Sequence, residues 1–361
     1  MDRQHFATMT EARRLVQQGR LSEAAALLQR GQTDFGAPHR ESIDLADLLS
    51  RLPTKGPLAP GRRRPTEPDP QLPGRWLRGS YTSHAGTRDY RLYVPSCYTR
   101  EPLPMIVMLH GGTQTADDFA AGTRMNELAE RDRFVVVYPE QSIAVNPRRY
   151  WHWFQAADQH RGKGEPSLIA DLTNHIVKEY AVERGRVYVA GFSAGAAMAA
   201  VMAACYPDLY AAVGMHSGLA YGAANDVTSA LGVMKQGAPA SILPDAGRLP
   251  LIVFHSDDDP IVDYANAECL VEVKLQGAGG QRSQYPRLVT DDHVADGRRY
   301  TRAVFIDMKR NPYIELWTIH GGGHAWSGGS SRGSYTDPLG PNASAELLRF
   351  FRHQQNVTRT A

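Results

Sequence analysis

From about residue 75 onward, short runs of consecutive apolar residues alternate with stretches whose apolar residues recur every three to four positions. The runs Tyr90–Val94, Met105–His110, Phe134–Tyr138, Val187–Ala190, Ala212–Met215, Leu251–His255 and Ile314–Ile319 read as strands. Several are apolar on both faces, which fits strands covered by helices. Ser167 opens a predicted helix whose Ile169, Leu172, Ile176, Val177 and Tyr180 share one face. Asn342 caps another that carries Leu347, Leu348, Phe350 and Phe351. Repeated β-then-α order predicts an α/β class chain with a mostly parallel central sheet and helices on both faces.

The pattern before residue 75 is different. Residues 10–30 place Leu15, Val16, Leu21, Leu27 and Leu28 at helical spacing, with Gly31 as a stop. This predicts an N-terminal helical segment, residues 1–50, that docks or forms a homo-oligomer. Seven prolines (Pro53, Pro57, Pro60, Pro65, Pro68, Pro70, Pro73) follow. That density prevents helices and sheet ladders, so residues 51–74 read as a linker or surface strap. Residues 75–361 form the expected catalytic domain.

Composition narrows the function classes. Lys+Arg 40 against Asp+Glu 38 leaves a formal charge of +2, with no basic excess to suggest nucleic acid or an anionic membrane. No apolar run approaches the roughly 20 residues needed to span a bilayer. Residues 1–30 carry charges every few positions and lack a signal-peptide core, so the expected location is the cytoplasm. Cys97, Cys205 and Cys269 are too few for a disulfide scaffold or a four-cysteine zinc site, and no metal or cofactor is expected.

The sharpest chemical signal is Gly191-Phe192-Ser193-Ala194-Gly195, between a predicted strand and a small-residue helix. That is the setting of a nucleophile elbow, in which flanking glycines admit a strained serine at a tight turn. A serine hydroxyl needs a base to take its proton, and the base needs an orienting acid. The acid is expected in Ser256-Asp257-Asp258-Asp259-Pro260, just past a strand end. Asp259 is favoured because Pro260 extends the turn, and Asp257 is the alternative. The base is expected at His324 in a glycine-rich loop, with His320 as its competitor at the strand end. Acyl transfer also builds negative charge on a carbonyl oxygen, and N–H donors of Ala194 and of Gly112 in His110-Gly111-Gly112 are placed to hold it. Trp151, Trp153, Trp326 and Tyr335 are candidate walls of a substrate pocket.

Taken together, LHGGTQTADDFAAGTRMNELAE, YPEQ, GEPSLIADLTNHIV, VYVAGFSAGAAMAAVMAACYPDLYAAVGMHSGL, FHSDDDPIV, GGGHAWSGG and SYTDPLGPNASAELLRFF resemble blocks of the poly(3-hydroxybutyrate) depolymerase family. These are α/β-hydrolase esterases that overlap feruloyl and acetylxylan esterases. The resemblance spans roughly residues 75–355 and puts the family triad on Ser193, Asp259 and His324. The leader MTEARRLVQQGRLSEAAALLQRG is similar to that of cytoplasmic members. The resemblance implies a serine carboxylic-ester hydrolase that works through an acyl-enzyme. Secreted polymer-degrading members carry a further linker and polymer-binding domain after the hydrolase core. None is expected here, so soluble short-chain esters or hydroxyalkanoate oligomers are the expected substrates. A feruloyl or acetylxylan esterase, a peptidase of related fold, and a silent binding protein on the same scaffold are the alternatives.

Two departures stand out. Members often have cysteines where Gly112 and Tyr150 stand here, the second just before Trp151-His152-Trp153-Phe154. Without that pair the loop must be held by packing, which fits a reducing compartment. His255-Ser256 replaces the more usual His-Gly.

Overall fold

The computed structural model describes residues 71–240, 249–277, 287–307 and 312–356. The predicted helical segment at 1–50 and most of the linker, up to residue 70, lie outside them. In chain order the elements are β1 (Arg75–Ser83), β2 (Gly86–Val94), β3 (Leu103–Leu109), α1 (Ala116–Thr123), α2 (Met125–Asp132), β4 (Val135–Pro139) and α3 (Gly164–Glu179). They continue with β5 (Val182–Phe192), α4 (Ala194–Cys205), β6 (Ala212–His216), α5 (Val227–Gln236), β7 (Leu251–Ser256) and α6 (Ala265–Gly277). The last are β8 (Arg287–His293), β9 (Arg299–Ile306), β10 (Pro312–Ile319), β11 (Trp326–Ser327), β12 (Thr336–Asp337) and α7 (Ala343–Arg352).

Ten strands form one sheet in the order β1-β2-β4-β3-β5-β6-β7-β10-β9-β8. The six from β4 to β10 in that order run parallel, and β1–β2 and β8–β9 extend the two sides as antiparallel hairpins. The central strands are buried on both faces, as their continuous apolar runs require. One core layer packs α3, α4 and α6 on one face of the sheet through Ile169, Leu172, Met198 and Val271. The other packs α1, α2 and α7 on the opposite face through Phe119, Leu128, Leu347 and Phe350. α4 consists almost entirely of alanine, glycine, methionine and valine, so it sinks deep enough that Ala194 through Ala203 are all buried.

All seven predicted strands are present. β1, β8, β9 and the two-residue β11 and β12 are additional. β1 alternates and all seven residues of β8 are exposed, so neither gives a continuous apolar run, whereas β9 does carry one, Ala303-Val304-Phe305-Ile306, that was a signal for it. α3 starts at Gly164, three residues before the predicted Ser167. Its first turn is capped from outside by the Asp158 carboxylate, which accepts the Glu165 N–H at 2.7 Å. Asn342 caps α7 as predicted, accepting the Ala345 N–H at 3.0 Å. No helix among the described residues is long and apolar enough to cross a membrane.

The segments following β3, β5, β7 and β10 all lie at the carboxyl edge of the parallel strands. Ligand sites of open α/β sheets form at that edge.

Candidate active site

Ser193 occupies the turn between β5 and α4 with φ 54° and ψ −120°, a region that a residue with a Cβ rarely enters. Its own N–H donates to His216 O at 2.9 Å, and its carbonyl accepts from Ala197 N–H at 3.0 Å. The flanking glycines are required by close backbone approach. A Cβ on Gly195 would lie 2.1 Å from Leu109 O and 2.5 Å from His110 O, so only glycine lets α4 rest on the end of β3. A Cβ on Gly191 would lie 2.3 Å from Gly195 O.

His324 arrives on the loop after β10. Its Nε2 is 2.9 Å from Ser193 Oγ and its Nδ1 is 2.7 Å from Asp259 Oδ2. A carboxylate only accepts, so Nδ1 carries the proton and Nε2 is left to accept the serine hydroxyl. Asp259 Oδ1 accepts the N–H groups of Ile261 and Val262, each at 2.9 Å. Burial alone would raise the Asp259 pKa. The His324 imidazole, His255 and the Val262 N–H outweigh that and hold the carboxyl well below the usual carboxylate range. The side chains of Asp259 and His324 are 0% and 7% exposed, so water hardly reaches their contact.

The alternatives to these two residues are placed elsewhere and bind each other. Asp257 Oδ2 accepts from His320 Nδ1 at 2.6 Å, and Asp257 Oδ1 accepts the Gly321 N–H at 2.9 Å. Neither touches Ser193.

Gly112 stands in the loop after β3, at the same edge of the sheet as the turn that holds Ser193. Among the described residues no backbone acceptor takes its N–H, and the Ala194 N–H, first in its helix, has no acceptor one turn back. The loop is braced on the segment ending at Trp151. Thr113 N–H donates to Arg148 O at 2.7 Å and Trp151 Nε1–H donates to His110 O at 2.9 Å. Gln141 N–H donates to His110 Nε2 at 3.0 Å while His110 Nδ1 lies 2.8 Å from Gly111 O, which fixes a neutral tautomer. Burial lowers the His110 pKa to about 4. The Tyr150 ring lies directly over Gly112, within 2.2 Å of where a Cβ would stand. The expected replacement of a bridge by packing is therefore a tyrosine ring seated on a glycine.

The expected pocket walls divide. Trp151, Trp153 and Trp326 are 0%, 4% and 2% exposed. This corrects the expectation that they wall an open pocket: they are core residues beneath the site. Trp326 stacks on His216 at 5.1 Å and donates from Nε1 to Ser344 Oγ at 3.1 Å. Tyr335 is half-buried at the site's margin. Its hydroxyl lies 3.2 Å from Thr113 Oγ1 and its ring 6.3 Å from Phe192, which in turn lies 4.9 Å from the His324 ring. Sequence reasoning passed over His255 and Ser256 as supports for the acid and base. Their place at the end of β7, beside Asp259, was the available signal. A recess lined by Leu72, Trp76, Asp117, Arg124 and Arg332 contains none of these residues. Among the described residues no three His, Cys, Asp or Glu side chains are grouped to hold a metal ion.

Comparison with known proteins gives consistent results. The sequence model of the esterase PHB depolymerase family matches residues 88–282, a stretch that includes Ser193 and Asp259 and ends before His324. Poly(3-hydroxyalkanoate) depolymerase C of Paucimonas lemoignei is 33% identical over 234 residues, which is 61% of this chain and 54% of that protein. Acetylxylan esterase A of Talaromyces purpureogenus is 36% identical over 141 residues, 38% of this chain and 35% of that protein. The chain thus spans about half or less of the length of these relatives. Among solved structures, an acetyl xylan esterase from Aspergillus awamori superposes with a TM-score of 0.60 at 19% identity, covering 77% of this chain and 99% of that one. An S-formylglutathione hydrolase from Agrobacterium tumefaciens superposes at 0.51 with 15% identity, covering 79% of this chain and 97% of that one. At such identities these structures speak for the fold alone, and the fold is that of the α/β hydrolases.

Proposed function

Since the chain belongs to the esterase PHB depolymerase family, we propose that it is a serine carboxylic-ester hydrolase acting on soluble short-chain esters or hydroxyalkanoate oligomers. The observation that supports this reading best is the unbroken chain of contacts from Ser193 Oγ through His324 to Asp259. Ser193 attacks the ester carbonyl carbon as its proton passes to His324 Nε2. Asp259 holds the imidazole in the required tautomer and stabilises the imidazolium. The N–H groups of Gly112 and Ala194 receive the charge that develops on the carbonyl oxygen, an effect worth about 3–4 kcal/mol per donor in such sites. The C–O bond to the alcohol then breaks, and the departing oxygen takes the proton from His324. Water, activated by the same imidazole, splits the acyl-enzyme to release the acid and restore Ser193.

The test is hydrolysis of p-nitrophenyl acetate by the purified chain and by Ser193→Ala. Loss of turnover in the folded variant is expected. Turnover near that of the parent would refute the assignment. A second reading, acetylxylan esterase, is favoured by the acetylxylan esterase relative. Comparing kcat/KM on hydroxybutyrate oligomers, feruloyl esters and acetylated xylan separates the readings. A silent binding protein would leave Ser193 unlabelled by a fluorophosphonate. We propose a cytoplasmic location, a reading supported by the likeness of the leader MTEARRLVQQGRLSEAAALLQRG to that of cytoplasmic family members. Recovery in the extracellular or periplasmic fraction of its host would contradict that. For residues 1–50 we propose a role in docking or in forming a homo-oligomer, and an unchanged mass in solution after their deletion would remove the second.

A further inference from the structure

We propose that His255 and Ser256, adjacent at the end of β7, are a positioning pair that fixes the acid and the base of the site relative to each other. The proposal rests on the ester-hydrolase reading. Both side chains are buried, at 0% and 2% exposure. Ser256 Oγ accepts two backbone N–H groups, that of Gly323 at 3.0 Å and that of Asp258 at 3.2 Å. Gly323 immediately precedes His324, and Asp258 immediately precedes Asp259. One oxygen atom thus ties together the two loops whose relative position sets the contact between imidazole and carboxylate. Glycine or alanine at position 256 has no atom to do this.

His255 holds the other side of the same carboxylate. Its Nε2 lies 2.8 Å from Val262 O, so that nitrogen carries the proton, and 3.5 Å from Asp259 Oδ2. Val262 in turn gives its N–H to Asp259 Oδ1. His255, Val262 and Asp259 therefore close a ring of contacts around the acid turn. His255 Nδ1 is buried without a hydrogen-bond partner, so the imidazole is held from its Nε2 side alone. The titratable and charged groups that act on His255 or pack against it are Asp259, Asp263, His324, His216 and Tyr264. Against the weight of burial, the carboxylates favour its proton and His324 opposes it. A neutral imidazole whose Nε2–H is given to Val262 O braces the acid turn from 3.5 Å away without adding a charge that competes with His324.

The test uses full-length Ser256→Ala, His255→Leu and His255→Gln. Each is assayed for kcat and KM on p-nitrophenyl acetate and for the rate of Ser193 labelling by a fluorophosphonate, all per titrated active site. Because small misplacements of reacting groups cost up to about a hundredfold, Ser256→Ala and His255→Leu should lower kcat by roughly tenfold to a hundredfold with KM within about twofold. Both should slow the labelling of Ser193 by the fluorophosphonate in step with kcat. His255→Gln keeps a side-chain N–H and should recover part of the loss. A purely structural role would lower the number of titratable sites but leave the per-site kcat and labelling rate where they are, and that result overturns the proposal. Ser256→Ala removes a single oxygen, so it decides the question even if His255→Leu fails to fold. A parent protein that hydrolyses no ester and takes no label overturns the ester-hydrolase reading and this proposal with it. An active parent with unaffected variants overturns the proposal alone.

Discussion

Asp257 lies against His320 just as Asp259 lies against His324, with Oδ2 to Nδ1 distances of 2.6 and 2.7 Å. The two pairs come from the same two loops, offset by two residues on one and four on the other. They end differently. His324 turns its Nε2 to the hydroxyl of Ser193, whereas His320 turns its Nε2 to Thr301 Oγ1 at 3.0 Å. Thr301 has no proton to offer a base, since its hydroxyl donates to Asp291 at 2.5 Å. The outer pair is also 41% and 34% exposed at its side chains, while the inner one is almost dry. The outer pair therefore reads as a brace for the base loop.

Asparagine substitutions at the two aspartates should then separate sharply. Asp259→Asn presents an amide to His324, favours the wrong tautomer and should lower kcat roughly a thousandfold to ten-thousandfold. Asp257→Asn weakens an exposed pair worth about 0–1 kcal/mol, so kcat should stay within about fivefold of the parent. Steady-state rates on p-nitrophenyl acetate decide it. Equal losses at the two positions would mean the acid has been misassigned.

The seat of Tyr150 on Gly112 leaves no space for a methyl group. The Cβ of Gly112→Ala would stand 2.2 Å from the ring, and overpacking of this kind costs about 1–3 kcal/mol. Moving the ring shifts the loop that carries the proposed oxyanion donor Gly112, so activity should fall with stability. In a Tyr150→Ala background the same methyl should be nearly neutral. Urea unfolding of the two single variants and the double variant gives the coupling. Additive losses would show that the ring is not what excludes the methyl.

How far the molecule was legible in its sequence varies with the physical signal. The central strands were legible because burial on both faces demands unbroken apolar runs, as in Val135–Pro139 and Leu251–Ser256. The edge strand β8 has no buried face and left no such trace. The convergence of Ser193, Asp259 and His324 was legible because a hydroxyl, a carboxylate and an imidazole each follow the end of a predicted strand. The tryptophans were misread because composition does not say which side of a loop an aromatic faces, and Trp151 turns inward to bind His110 O. Ser256 is only weakly legible as a support, through its place at the end of β7, because its partners are backbone N–H groups, one of them far along the chain.

Two glycine-to-alanine substitutions test the elbow against a control. At Gly195 the new Cβ would press on carbonyl oxygens of β3, which cannot rotate aside, so Gly195→Ala should cost more than about 3 kcal/mol or prevent folding. Gly232 lies in the interior of α5 with nothing within 4 Å of a Cβ and no left-handed backbone. Gly232→Ala should therefore gain about 0.5–1 kcal/mol from helix propensity. Urea midpoints of the two variants should move in opposite directions, and a tolerated Gly195→Ala would mean that α4 is not seated on β3 as described.

Acid sensitivity should begin above the carboxylate range, and buried histidines are the reason. His110, His216 and His255 are all held below the ordinary histidine pKa, chiefly by burial, and for His110 the value falls to about 4. Between that value and the unfolded value of about 6.5, the unfolded chain binds protons that the folded chain does not. Their contribution is fully present above about pH 6.5 and is lost as pH falls toward the folded values. For His110 the loss amounts to about 3 kcal/mol on reaching its folded pKa. Asp259 and Glu315 have depressed pKa values of the opposite charge type, burial being outweighed in each by cationic or hydrogen-bonding partners. Their contribution holds above about pH 4 and is lost only below it. Urea unfolding at about pH 7.5, 6 and 5 should therefore show stability already falling before Asp259 or Glu315 titrates. His110→Gln loses the neutral ring, so it should be less stable at about pH 7.5 yet show a smaller drop on going to pH 5. A parent whose stability is flat from pH 7.5 to 5 would mean that these imidazoles take up protons without unfolding.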